Sequence, residues 1–150
     1  MPGYKGHLAG GVGIYIVLAW IMVHYAPAYG SLVQALPWCL AGALFPDLDV
    51  KSRGQNIFYV AVFVLLVLLM LAQYFYYAAL VGTAALLPLL VRHRGLFHRL
   101  WFIFFVALGG IGIFGMCVRV TPVAVGNMLF FIAGAVSHLW LDFGLRRMFR

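Results

Sequence analysis

Acidic residues are scarce in this chain: Asp47, Asp49 and Asp142 are the only 3 among 150 residues, against 10 lysines and arginines. Charged residues make up 9% of the sequence and hydrophobic residues 66%. A soluble domain of this length could not bury that apolar surface in one core, so a soluble globular enzyme is excluded and an integral membrane protein is implied. A carboxylate at the centre of a membrane helix costs roughly 2.5 to 3.5 kcal/mol on insertion scales unless something compensates it. The three aspartates are therefore informative.

Cysteine is also scarce. Cys39 and Cys117 lie inside apolar runs with no C-x-x-C or His-rich spacing around them, which argues against a disulfide or a thiolate metal site. Both read as small buried hydrophobes. The runs also lack the polar alternation of a membrane β-barrel, as from Val60 to Leu71, so the spans must be helical. No linker, low-complexity segment or internal repeat divides the chain. The expectation is all-α: one polytopic membrane helical bundle over residues 1–150.

What is present sets the topology. Gly54 to Val91 carries no charge and would be about 57 Å long as one helix, against a hydrocarbon core of about 30 Å. It must fold back, and Gln73 to Tyr77 is the predicted turn, its aromatics suiting the membrane interface. The same reasoning splits Leu8 to Pro46 near Ala26-Pro27-Ala28-Tyr29-Gly30-Ser31 and places a third turn at Arg119 to Pro122. Six transmembrane or partly re-entrant spans follow, at about 8–25, 32–45, 57–73, 78–91, 100–118 and 123–143. Lys5 and the apolar run to Val23 superficially resemble a signal peptide. The run is long for one, and cleavage would remove His7, so the segment is expected to be retained.

Lys5, Lys51, Arg53, Arg92, Arg94, Arg99, Arg146, Arg147 and Arg150 then fall on one side and only Arg119 on the other. By the positive-inside rule that side is cytoplasmic, with both termini inside. This placement explains the net charge of +7 without nucleic acid as a partner. The same placement gathers His7, Asp47, Asp49, His93, His98, His138 and Asp142 at the cytoplasmic face. His24 lands at the opposite face and is left out.

Three motifs carry this constellation. Asp47-Leu48-Asp49 follows Pro46, which predicts an extended exit from the second span with both carboxylates on one side; the alternative has Asp49 capping the next helix and Asp47 pairing with Lys51 or Arg53. His93-Arg94-Gly95-Leu96-Phe97-His98 lets two imidazoles converge across a glycine turn. Arg92, Arg94 and Arg99 around them suit a phosphate; the alternative is a basic loop facing anionic lipid. Ser137-His138-Leu139-Trp140-Leu141-Asp142 puts His138 and Asp142 four apart on one helical face, as two ligands of one metal or as a ligand and its orienter. A plain hydrogen-bonded pair inside the bundle is the alternative there. Taken together, the motifs suggest one divalent metal or two close ones; nitrogen and oxygen donors suit Zn, Mn or Fe. Such a site activates water and clamps a phosphoryl group.

These motifs, with Gly6-His7, Leu44-Phe45, Ser52 and Gly134, resemble the LexA-regulated, YdjM-like inner-membrane metal-dependent hydrolases, in the same order along the whole chain. The resemblance implies a multi-pass bacterial inner-membrane hydrolase with His7, Asp47, Asp49, His93, His98, His138 and Asp142 as its ligand and catalytic set. Asp49, Asp142 and His98 are the expected catalytic groups; Arg94, Arg99 and Ser137 are expected to contact substrate. Two departures from the family pattern bear on substrate: Arg99 stands where a small hydroxyl residue is common, and Phe143-Gly144-Leu145 where a threonine often follows. The expected substrate is a membrane lipid or lipid-linked phosphate ester. Rival readings are a divalent-metal-binding or transport protein without chemistry, a haem protein with paired histidines, which leaves the carboxylates unexplained, and a structural subunit. Ligands gathered at one face favour the enzyme over a transporter, whose ion sites tend to lie at the midplane.

Overall fold

Thr121 and Pro122 show how the sequence starts a helix here. The Thr121 hydroxyl accepts from the Ala124 N–H at 3.2 Å, and Pro122 occupies the first helical position, where a missing N–H costs nothing. In the computed structural model, which describes residues 3–25, 32–49, 52–90, 96–117 and 121–144, six α-helices follow one another. They are α1 Tyr4–Tyr25, α2 Leu32–Leu44, α3 Arg53–Leu71, α4 Phe75–Leu90, α5 Leu100–Cys117 and α6 Pro122–Phe143. Two short 3-10 turns, Phe45–Asp49 and Leu96–His98, precede α3 and α5. No strand occurs among the described residues.

Helices α1, α3 and α6, of 22, 19 and 22 residues, are each long and apolar enough to cross a membrane; 19 residues span about 29 Å, close to the bilayer's hydrocarbon thickness. Helices α2 and α4 are apolar but shorter, at 13 and 16 residues. Large apolar side chains face outward along α3, as with Val60, Phe63 and Leu71, the arrangement expected where the surroundings are lipid.

Helix α6 is the centre of the bundle. It buries Phe130, Phe131, Gly134, Ala135, Ser137, His138 and Leu139 and packs against α1, α2 and α5. Its contact with α2 is backbone to backbone: a Cβ on Gly42 would overlap the Phe131 carbonyl, and one on Gly134 would overlap the Cys39 carbonyl. Small residues permit this approach, which is how helices associate where lipid is as apolar as leucine. Helix α1 joins the pair through Gly11, whose absent Cβ leaves room for Ala43, and through the Cys39 thiol donating to the Gly11 carbonyl at 3.3 Å.

The α3–α4 hairpin reverses at Ala72–Tyr74, a tighter turn than the predicted Gln73 to Tyr77. Gln73 adopts φ 62°, and the Tyr74 N–H reaches back to the Leu69 carbonyl at 2.8 Å. The interfacial aromatics Phe75, Tyr76 and Tyr77 accordingly lie on the first turn of α4, exposed.

The largest departure from expectation is at Pro46-Asp47-Leu48-Asp49, which forms a 3-10 turn and not an extended exit. The first turn of α3 folds it back. Ser52 donates to the Asp47 carbonyl at 3.2 Å, and the Gln55 side-chain amide donates to the Leu48 carbonyl at 2.9 Å. Ser52, not Asp49, caps α3, accepting from the Gln55 N–H at 3.1 Å. In a 3-10 turn residues three apart share a side, so the geometric ground for pairing Asp47 with Asp49 is lost.

Candidate metal centre

The α2–α6 contact fixes one imidazole. With Gly42 and Gly134 bringing the backbones together, the Ala43 carbonyl lies 2.7 Å from His138 Nδ1. A carbonyl only accepts, so Nδ1 carries a proton, and Nε2, the nitrogen left for a metal, points away from α2. That nitrogen is 3.5 Å from Asp47 Oδ1 and 3.7 Å from Asp142 Oδ2. Both separations exceed hydrogen-bond length, and neither His138 Nε2 nor Asp142 Oδ1 has a hydrogen-bond partner among the described residues.

His7 and His98 complete the cluster from α1 and from the Leu96–His98 turn. His7 Nε2 lies 3.5 Å from Asp142 Oδ1, and His98 Nε2 lies 3.9 Å from Asp142 Oδ2. The His7 ring stacks on the His138 ring, centroids 3.7 Å apart and planes 13° from parallel. The His98 turn is anchored by Phe97, which sits against Phe45 and Phe102 at ring-centroid distances of 5.3 and 5.2 Å; Phe143 packs edge-on to His98 itself. All three imidazoles are buried, as is the Asp142 side chain at 6% exposure; the Asp47 carboxylate retains 21%.

The spacing suits a cation. Two ligand atoms each about 2.0 to 2.1 Å from a tetrahedral zinc stand about 3.4 Å apart, close to the 3.5 to 3.9 Å found between nitrogens and carboxylate oxygens here. Two overlapping donor groups fit one ion each, His7–Asp47–His138 and His98–His138–Asp142, with ligand atoms within 4.8 Å of one another. Because Nδ1 of His138 is committed to Ala43, only Nε2 is available to both groups. Asp142 can instead bridge, presenting Oδ1 towards His7 and Oδ2 towards His98 and His138. A divalent ion would offset the buried Asp142 carboxylate and the partly buried Asp47 carboxylate, both otherwise expensive to hold out of water.

Asp47 lies in the turn outside the helices. Burial works to raise its carboxyl, but the charge that His138, His7 and His98 carry when protonated outweighs that and holds it below the ordinary carboxylate value. The group is thus ionised and fit to be a ligand.

The structure brings together His7, Asp47, His98, His138 and Asp142. The Asp49 side chain, His93 and Arg94 lie outside the described residues and atoms. Arg99 is exposed one position beyond His98. Ser137 is buried, its hydroxyl donating to the Gly134 carbonyl at 2.7 Å, one turn from the cluster and turned towards Gly10 of α1. His24 is exposed at the far end of α1, with Nδ1 2.8 Å from the Trp20 carbonyl. Arg53 reaches Tyr4, not Asp47: its guanidinium is 3.4 Å from the phenol oxygen and sits over the ring. The residue that sequence reasoning missed is Ala43, which acts through its backbone and so leaves no side-chain signal.

The sequence model described as YdjM inner membrane protein matches residues 1–147. That match carries the family, not the LexA control or the hydrolysis that the resemblance implies. No curated protein and no solved structure matches the chain.

Proposed function

The chain belongs to the YdjM inner membrane protein family, and from that premise we propose that it is a multi-pass bacterial inner-membrane hydrolase. Its cytoplasm-facing His/Asp cluster would hold one divalent ion or a close pair and act on a lipid-linked phosphate ester or similar amphiphile. The observation that carries the reading is His138: its Nδ1–H donates to the Ala43 carbonyl, and its Nε2 faces two carboxylates at distances longer than hydrogen bonds and close to those between ligands of one cation.

Three imidazoles and two carboxylates without thiolate suit zinc best, with manganese or iron as the other candidates. When bound, the ion supplies Lewis acidity towards a phosphoryl oxygen. The chain's residues divide the remaining work. His7, Asp47, Asp49, His93, His98, His138 and Asp142 share metal binding. His98, Asp49 and Asp142 carry proton transfer. Arg94 and Arg99 hold the anionic group from the cytoplasmic side. Basic residues near the ligands, Lys5, Arg53 and Arg99, support the cytoplasmic orientation.

The test is metal content by elemental mass spectrometry, together with release of inorganic phosphate from phosphatidic acid and polyprenyl phosphates. Wild type is compared with the Asp47→Ala, His98→Ala double variant, matched for folding by circular dichroism. Stoichiometric metal and phosphate release, both lost in the variant, support the hydrolase. Metal bound and carried across proteoliposomes without any ester cleaved would replace it with the transport reading, and no metal even after reconstitution would remove both.

A further inference from the structure

Beside the cluster, between α1 and α6, runs an apolar groove of about 610 Å³. One end is formed by Gly10, Ser137 and Leu141, within a turn of His7, His138 and Asp142; the other is formed by Met22 and Leu129. From Gly10 to Met22 it follows α1 for about 18 Å, comparable to the roughly 15 Å hydrocarbon depth of one leaflet. Its lining is almost wholly carbon, with Ser137 at the site end the single hydroxyl residue among the lining side chains.

Gly13 helps to set the width of the groove. A glycine within a helix costs up to about 1 kcal/mol relative to alanine in soluble hosts, and close helix packing is the usual reason to keep one. Gly13 has no such reason: a Cβ there would meet nothing within 4 Å. What the missing side chain leaves open is the groove, which Gly13 lines opposite Ala133. Gly10, by contrast, is covered by the flexible Leu141 side chain, which lies over the site end of the groove and would swing aside for a lipid to reach from groove to cluster.

We infer that this groove holds one hydrocarbon chain of a membrane lipid whose phosphate headgroup lies at the His/Asp cluster. The proposal deepens the lipid-phosphate reading and depends on it only for the headgroup. With the ligands at headgroup depth, the groove would end about one leaflet deep, so a lipid could slide in along α1 without leaving the membrane. Small residues on both walls, Gly13 and Ala133, set its width, and the lone hydroxyl of Ser137 marks where the chain meets the polar end.

The experiment places the full-length protein in phosphatidylcholine nanodiscs containing a small fraction of phosphatidic acid that bears a diazirine near the end of one acyl chain. After illumination, adducts are mapped by peptide mass spectrometry, and metal content is measured on the same samples. Adducts are expected on residues 13–22 of α1 and 129–136 of α6, falling about ten-fold, or about 1.4 kcal/mol, in Gly13→Leu. Gly109→Leu on α5, where a side chain also meets open space, is expected to leave them unchanged. Ala133→Leu fills the groove from the other wall and gives the same loss should Gly13→Leu fold poorly. Adducts spread evenly over α3, α4 and α5, or indifferent to both filling variants, would overturn the proposal in favour of ordinary surrounding lipid. Adduct-free grooves in a chain that cross-links to a second copy through α1 and α6 would overturn it as well. Wild-type protein with the expected adducts but without metal would uphold the groove while removing the hydrolase reading.

Discussion

His7 and His138 lie face to face, ring centroids 3.7 Å apart, although one belongs to the first helix and the other to the last. Two imidazolium cations stacked at that distance repel each other, whereas neutral rings stack without that cost and keep a lone pair each. The arrangement suits ligands, and it suits a cation supplied from outside the pair. Asp142 then ties the stack to His98, facing His7 with one oxygen and both other histidines with the second.

Asp142→Asn keeps the shape of that link and removes its charge. Metal affinity is expected to fall by more than the about 10- to 100-fold typical of lost outer partners, because Asp142 is placed as a ligand itself. Equilibrium dialysis against zinc followed by elemental analysis measures it; affinity within two-fold of wild type would remove Asp142 from the ligand set.

Gly134→Ala drives a methyl into the Cys39 carbonyl. Overpacking of this kind commonly costs about 1 to 3 kcal/mol, and parting α2 from α6 also withdraws Ala43 from His138. A lower Tm in detergent and weaker metal binding are expected together. A variant with lowered Tm and intact metal affinity would show that the Ala43 contact does not govern the ring.

Gly109→Ala is the matched contrast, since a side chain there meets nothing within 4 Å. Thermal unfolding followed by circular dichroism is expected to give a Tm equal to or above that of wild type, with metal content unchanged. A loss equal to that of Gly134→Ala would mean that removing any glycine harms this bundle, and the helix collision would no longer explain the first result.

Histidines bind metal as neutral rings, so binding here releases protons and weakens on acidification. Isothermal titration of zinc into the metal-free protein, in buffers of different ionisation enthalpy, is expected to show net proton release that grows as the pH is lowered towards the histidine range. Binding that is indifferent to pH would leave the carboxylates alone as ligands.

Much of the architecture was legible because the bilayer limits length. An uncharged stretch such as 54–91 has to turn, and Thr121-Pro122 announces the start of α6 in its own residues. The clustering of His7, Asp47, His98, His138 and Asp142 at one end was legible for the same reason, since helices joined by tight reversals return those segments to a common end. The Asp47 turn was not, because Pro46 permits both an extended and a 3-10 path, and the choice is made by Ser52 and Gln55 reaching back from α3. Gly42, the Ala43 carbonyl and the packing role of Gly134 escaped because backbone contact between helices leaves no mark in a pattern where nearly every residue is apolar.

That the cluster takes His7 from α1 and Asp142 from α6 orders events during biogenesis. While α6 is still in the ribosome or translocon, the chain offers no complete set of donors, so an ion of the kind proposed above would be the last thing a nascent protein acquires. Once bound, the ion contributes its affinity to holding the outermost helices of the sequence together. Such an ion would act as a clasp, and a chain stripped of it would loosen first along the seam between α1 and α6.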